Sequence, residues 1–291
     1  MSGLPFYIVD VFAEHLYAGN QLAVFREAGK LSGDEIQQIA REINFSETTF
    51  ILSDESRNGG FDVRIFTPGE EVPFAGHPTL GTAHIIQHQI LQGKAGRVVL
   101  NLKVGQIPVT LGADGYSWMR QIQPVFGAQH TPELLAGVLG IDVSEIDERF
   151  PIEEVSTGLP FFIVPLKGIT ALKKAKVDKD RYFELVNHTN AKGILIFCPQ
   201  THEAHNDLSV RVFVDYYGVP EDPATGSGNG CLAGYLVQHR YFGQPRIDLR
   251  SEQGYEIGRP SLLLLKAEQS ETGIDISVGG KSILVAQGEF V

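Results

Sequence analysis

Three short segments of this 291-residue chain carry side chains of the right type and spacing for proton chemistry. The first, Asn44-Phe45-Ser46-Glu47-Thr48-Thr49-Phe50, sets one carboxylate between two phenylalanines. Apolar neighbours raise a carboxyl pKa towards neutrality, which is what a general acid/base needs. On the residues alone, an exposed glutamate at a strand start is the simpler reading. The second segment, Phe74-Ala75-Gly76-His77-Pro78-Thr79, places a histidine at a helix start. There an imidazole can donate to a substrate oxygen or shuttle a proton, although a lone histidine is more often structural. The third is the loop Glu221-Asp222-Pro223-Ala224-Thr225-Gly226-Ser227-Gly228-Asn229-Gly230. Its glycines let backbone amides approach a ligand, and the positive end of the following helix makes an anion site for a carboxylate or phosphate. A flexible turn with a glycine-lined helix packing is the plain alternative.

Other patterns carry less. The third loop lacks the Gly-Lys-Ser/Thr of a phosphate loop and the Gly-x-Gly-x-x-Gly of a dinucleotide site. His202-Glu203-Ala204-His205 has a spacing of three where a zinc-binding His-Glu-x-x-His has four. His84 and His88 lie one helical turn apart with no obvious third ligand, so no metal is expected. A serine hydrolase built on Ser227 is conceivable, but Gly226-Ser227-Gly228 lacks nucleophile-elbow spacing. The two cysteines, Cys198 and Cys231, can form neither a disulfide framework nor a four-thiolate zinc site. With 24 Lys and Arg against 35 Asp and Glu, the net charge of −11 argues against a nucleic-acid partner. Met1 to Asp10 does not read as a signal peptide, and no apolar run approaches the roughly 20 residues of a membrane span. A cytoplasmic protein with no membrane contact is the expectation.

The elements that must position these residues follow from periodicity and punctuation. Tyr7, Val9 and Val11 alternate, and Gln21 to Phe25 resumes after Ala18-Gly19-Asn20, which predicts an opening hairpin. Ser32-Gly33-Asp34-Glu35 fits a capping box, with Ile36, Ile39, Ala40 and Ile43 at helical spacing behind it. Strands are expected at 48–52 and 61–66, and a helix from His77-Pro78. Strands follow near 97–103, 106–111 and 115–120, then a linker from Gln123 to Thr131 and a helix opened by Thr131-Pro132-Glu133. The second half predicts a strand pair within 155–164 broken at Gly158, a helix at 178–186, strands at 193–197 and 208–214, a helix near Ser227 and short strands to the end.

The order of elements recurs, and so do residues. Val63-Arg64-Ile65-Phe66 matches Val210-Arg211-Val212-Phe213, with Pro73 and Pro220 each seven residues further on. A small-residue turn and a helical pattern follow in both halves. This predicts a duplication into two similar lobes, with a cleft between them as the default ligand site.

Taken together, Val9-Asp10-Val11-Phe12, Gly19-Asn20, Asn44-Phe45-Ser46-Glu47, Ile65-Phe66-Thr67-Pro68, Pro73-Phe74-Ala75-Gly76-His77-Pro78 and Glu221-Asp222-Pro223-Ala224-Thr225-Gly226-Ser227 resemble the PhzF family, named for a phenazine-biosynthesis isomerase. The resemblance implies an α+β fold like that of diaminopimelate epimerase. Two pseudo-symmetric lobes, 1–122 and 130–291, would each curl a mostly antiparallel sheet or barrel around a central helix, with the last strand free to return to the first lobe. It also implies proton-transfer isomerisation of a small carboxylate substrate in the cleft, with no cofactor and no metal. Under it Glu47 is the acid/base, and His77 and Asp222 orient the substrate. Gly76, Gly226 and Ser227 hold its carboxylate, and Asn20 joins the substrate-binding residues. Homodimers are expected. The epimerases that share the fold place a catalytic cysteine in each half-site loop. Here those loops carry His77 and Thr225-Gly226-Ser227, so a two-thiol racemase is not expected. A non-catalytic carboxylate-binding protein on the same fold is the alternative from another class.

Overall fold

The computed structural model describes residues 3–291, which divide into two compact units. One runs to Met119 and takes in Gly279–Val291; the other is Arg120–Val278. The division thus falls at 119/120 rather than at 122 and 130, and the C-terminal strand belongs with the first unit.

The first unit is built on β1 (Leu4–Val11), β2 (Asn20–Phe25), β3 (Thr48–Ile51), β4 (Phe61–Phe66), β5 (Glu71–Val72), β6 (Arg97–Leu102) and β7 (Gly105–Leu111), with the start of β8 (Ser117–Arg120). Pairing is antiparallel except for the parallel joins β2–β3 and β4–β6. Helix α1 (Gly33–Ile43) has the capping box expected of Ser32 and Glu35. Its apolar stripe, Ile36 and Ala40, covers Phe25, Phe50 and Phe66, with the rings of Phe25 and Phe50 stacked at 5.1 Å. Helix α2 (Gly76–Ile85) lies on the opposite face and is buried along its length apart from His84. It touches β1, β2, β3, β6 and β7, strands spread along the whole sheet, so the sheet must curl around it. A helix buried on every side shows no amphipathic stripe. Gly81 permits the packing: a Cβ there would meet Leu22 Cδ2 at 2.6 Å and Val11 Cγ2 at 2.7 Å.

The second unit repeats this plan with β9 (Val125–His130), β10 (Ile152–Ser156), β11 (Pro160–Pro165), β12 (Gly193–Cys198), β13 (Leu208–Val214), β14 (Val219–Asp222), β15 (Arg246–Gln253) and β16 (Ser261–Ser270), followed by β17 (Gly273–Gly280). The parallel joins recur in order, as β11–β12 and β13–β15. Helix α6 (Gly226–Gln238) is the counterpart of α2, buried from Gly228 to Val237 against β10, β11, β12, β15 and β16. The outer face carries α3 (Pro132–Leu139), α4 (Ile169–Lys174) and α5 (Lys179–Asn187) over Phe162, Ile194, Ile196 and Phe213.

The duplication extends to single contacts. In β4, Arg64 Nε and Nη2 donate to Glu71 at 2.9 and 2.8 Å; in β13, Arg211 donates to Glu221 with the same atoms and distances. Each guanidinium also lies 4.9 Å from the ring two residues on, Phe66 or Phe213. Ile65 faces Val72 across β4–β5, and Val212 faces Asp222 across β13–β14. The register therefore aligns Glu71-Val72-Pro73-Phe74-Ala75-Gly76-His77 with Glu221-Asp222-Pro223-Ala224-Thr225-Gly226-Ser227. This corrects the pairing of Pro73 with Pro220: the counterpart is Pro223, ten residues after Phe213, because the 3-10 turn Asp215–Tyr217 lengthens the connection.

Two further expectations are corrected. The stretch from Gln123 to Thr131 is not a linker, since Val125–His130 forms β9 against β10. Most of its side chains are exposed, so pairing and not burial makes it a strand, and no apolar alternation marks it. The C-terminal strands are also long, eight residues in β15, ten in β16, eight in β17 and nine in β18 (Ser282–Phe290), which pairs with β1.

Candidate active site

In the first unit, α1 ends on Asn44 in the left-handed conformation, φ 55°, with its amide bonded to the Ala40 carbonyl. The chain turns there, and Glu47 immediately precedes β3. Only 21% of the Glu47 side chain is accessible, and burial pushes its carboxyl up to about 7 against an opposing hydrogen bond with Ser46. His77, second residue of α2, is 6% exposed and holds Nε2 3.6 Å from Glu47 Oε2. That is longer than a direct hydrogen bond and well within ion-pair range. The two residues are 30 apart in sequence, and a buried bond from Thr82 Oγ1 to Thr49 Oγ1, 2.8 Å, ties α2 to the strand that follows Glu47. Gly76 opens the helix, with the amides of its first turn unpaired within the helix, as at any helix start. Asn20, 2% exposed, begins β2 opposite Val11. The parallel register Ala23–Thr48 sets it at the end of β2 that lies beside Glu47.

In the second unit, Asp222 ends β14, 9% exposed, and Gly226 opens α6 with Ser227 partly exposed beside it. The Thr225 hydroxyl donates to Asp222 Oδ2 at 2.5 Å. Behind the loop lies a buried set of amides and hydroxyls that sequence reasoning passed over. Gln253 Oε1 accepts from Thr225 N (3.2 Å) and Asn229 Nδ2 (2.9 Å), while its Nε2 donates to the Asp222 carbonyl (2.7 Å) and Thr225 Oγ1 (3.0 Å). Ser251 Oγ donates to Asn229 Oδ1 at 2.7 Å. The chain leaves this strand through Gly254, φ 80°, where a Cβ would collide with the carbonyls of Arg259 and Pro223 at 2.3 and 2.6 Å. The signal in the sequence was a polar triplet, Ser251-Glu252-Gln253, inside a strand pattern and directly before that glycine. Glu252 points to the other face and holds the 202–209 segment through His202, Asn206 and Ser209.

The remaining motifs resolve into structural roles. His202 stacks on Tyr255 at 4.3 Å between Glu252 and Glu256. His84 and His88 lie with ring centroids 4.4 Å apart, and burial, with His88 beside it, pushes the His84 imidazole down to about 4. Among the described residues no group of three His, Cys, Asp or Glu side chains is placed to hold a metal ion. Cys198 and Cys231 are buried, and desolvation lifts both thiols to about 11, so neither is a thiolate base at neutral pH. Among the described residues no helix is long and apolar enough to cross a membrane.

Residues 9–288 match the profile of the phenazine biosynthesis-like protein family. A trans-2,3-dihydro-3-hydroxyanthranilate isomerase from Pseudomonas fluorescens is 37% identical over 98% of this chain and 99% of its own. The crystal structure of a Bacillus anthracis phenazine biosynthesis protein of the PhzF family superimposes with a TM-score of 0.91 at 28% identity, covering all of both chains. A probable proline racemase from Agrobacterium radiobacter shares the fold alone, with a TM-score of 0.63 at 10% identity over 99% of this chain and 93% of that one.

Proposed function

The chain belongs to the PhzF family and is an isomerase, and from that premise we propose that it moves a proton within a small carboxylate substrate, with Glu47 as the acid/base. The observation that carries this reading is the Glu47 carboxyl, lifted to about 7 by burial and 3.6 Å from His77. A carboxyl with a pKa near ambient pH can both take a proton from carbon and give one back. In the proposed step a substrate C–H bond breaks and its proton passes to the Glu47 carboxylate. The electron pair moves into the adjacent π system, the double bond shifts, and Glu47–H returns the proton at another carbon. Atoms and electrons balance with no oxidant or reductant. His77 donates to a substrate polar group, and Asp222 orients another. The unpaired amides at Gly226 and Ser227 receive the substrate carboxylate, as helix starts do for anions. Gly76 and Asn20 complete the proposed binding set.

The relative's named substrate, trans-2,3-dihydro-3-hydroxyanthranilate, carries a carboxylate and is the first compound to assay. Turnover in heavy water should place deuterium in the product. Glu47→Gln should lower kcat by about 10²–10⁴-fold and abolish that incorporation. Undiminished exchange in the variant would remove Glu47 from the mechanism. Binding without exchange by the unaltered protein, across a panel of small carboxylates, would favour a non-catalytic carboxylate-binding role.

A further inference from the structure

We propose that Gln253 and Thr225 are positioning residues: they form a one-way hydrogen-bond relay, Gln253 to Thr225 to Asp222, that fixes the Asp222 carboxylate as an acceptor. This deepens the reading above and rests on its assignment of Asp222 to substrate orientation. The direction of the relay follows from its ends. The Asp222 backbone carbonyl can only accept and the Thr225 amide can only donate, so both terminal atoms of the Gln253 side chain are assigned without ambiguity. The second hydrogen on Gln253 Nε2 then goes to Thr225 Oγ1 at 3.0 Å. Thr225 must in turn aim its own hydroxyl hydrogen at Asp222 Oδ2, 2.5 Å away. Asn229 and Ser251, both fully buried, lock the amide from behind, and Gln253 is 1% exposed. A buried network with its donors and acceptors matched in this way is rigid.

The duplicated unit supplies an internal control. With Val63 aligned on Val210, Phe61 pairs with Leu100 where Leu208 pairs with Ser251. Leu100 and Leu102 therefore occupy the places of Ser251 and Gln253, and Val72 and Ala75 those of Asp222 and Thr225. Thr79 stands for Asn229, and both bond back to the carbonyl before their helix, at 2.8 and 3.1 Å. The first unit thus carries buried leucines at the places of Ser251 and Gln253. The fold does not require a polar set at these positions, which assigns the set in the second unit to the loop's chemistry.

The test uses the full chain, labelled for NMR, and kinetics with trans-2,3-dihydro-3-hydroxyanthranilate as the probe. The relay predicts a slowly exchanging threonine hydroxyl proton, assigned to Thr225 by its loss in Thr225→Val. That proton should exchange at least about tenfold faster in both Gln253→Leu and Asp222→Asn. Absence of the resonance, or indifference to Gln253→Leu, overturns the proposal. In kinetics, Thr225→Val should lower kcat by about tenfold or more with KM held within about twofold, and Thr225→Ser should stay within about threefold of the unaltered protein. Adding Gln253→Leu to Thr225→Val should cost less than about a further twofold, because both act through one hydroxyl. Additive losses, or failure of the serine variant to rescue, overturn the relay, and the Thr225 pair decides alone where Gln253→Leu does not fold. A protein that leaves the probe unchanged refutes that substrate, and the hydroxyl resonance then decides the relay independently.

Discussion

Glu47 shows what a single side chain draws from its surroundings. Its carboxyl is pushed up to about 7 because burial penalises the charged form, so between the ordinary glutamate range and pH 7 the folded protein binds more protons than the unfolded one. Stability conferred at this position is therefore complete at low pH and lost as pH rises through 7. Glu47→Gln, which removes the charge and keeps the shape, should raise the unfolding free energy at pH 8 by up to about 3 kcal/mol and leave it nearly unchanged at pH 4. Chemical denaturation at the two pH values measures the difference; equal effects at both would mean that the carboxyl is not desolvated. The motif around Glu47 was legible in the sequence as a carboxylate flanked by phenylalanines. Its burial was not, because exposure at a strand start depends on what packs over it. His77 is 30 residues away and reaches it only through α2.

At the scale of elements, the paired strands β4–β5 and β13–β14 hold one arginine–glutamate fork each in two degrees of burial. Arg211 and Glu221 are 8% and 10% exposed, whereas Arg64 and Glu71 are 30% and 15% exposed, with Lys103 also on Glu71. Breaking a buried pair strands a charge, so Arg211→Met should cost about 3–5 kcal/mol. Arg64→Met should cost about 1 kcal/mol or less, since Lys103 still neutralises Glu71. Urea unfolding of the two variants checks the order, and equal losses would refute the burial argument. Sequence periodicity located most elements within a residue or two, because capping boxes, helix-start prolines and alternating apolar residues are local signals. It failed at β9, whose exposed side chains leave no pattern, and at the Pro220 alignment, where equal spacing concealed the turn inserted at 215–217.

Across the whole molecule, the two sequence repeats and the two compact units do not coincide. The first repeat runs from β1 to β9 and the second from β10 to β18, yet β9 pairs with β10 and β18 pairs with β1. Each unit thus completes its sheet with the last strand of the other repeat. Removing Ser282–Val291 should therefore weaken the N-terminal unit first. Hydrogen exchange should show the Tyr7–Val11 amides losing at least about tenfold in protection, about 1.4 kcal/mol, while β12 and β13 keep theirs. Loss centred on β12 and β13 would contradict the strand assignment.

The amino-acid sequence by itself determined the duplication and the motif residues, because these depend on local patterning and on recurrence along the chain, while the class of fold followed from the family those motifs resemble. Only the tertiary structure decided the rest: which proline matches which, where the last strand goes, that Glu47 and His77 meet, and that Gln253 stands behind Asp222. The proline match rests on the nearby pairings Ile65–Val72 and Val212–Asp222, which only strand register reveals; the others depend on contacts between residues 28 or more apart, and no short window of sequence contains both partners.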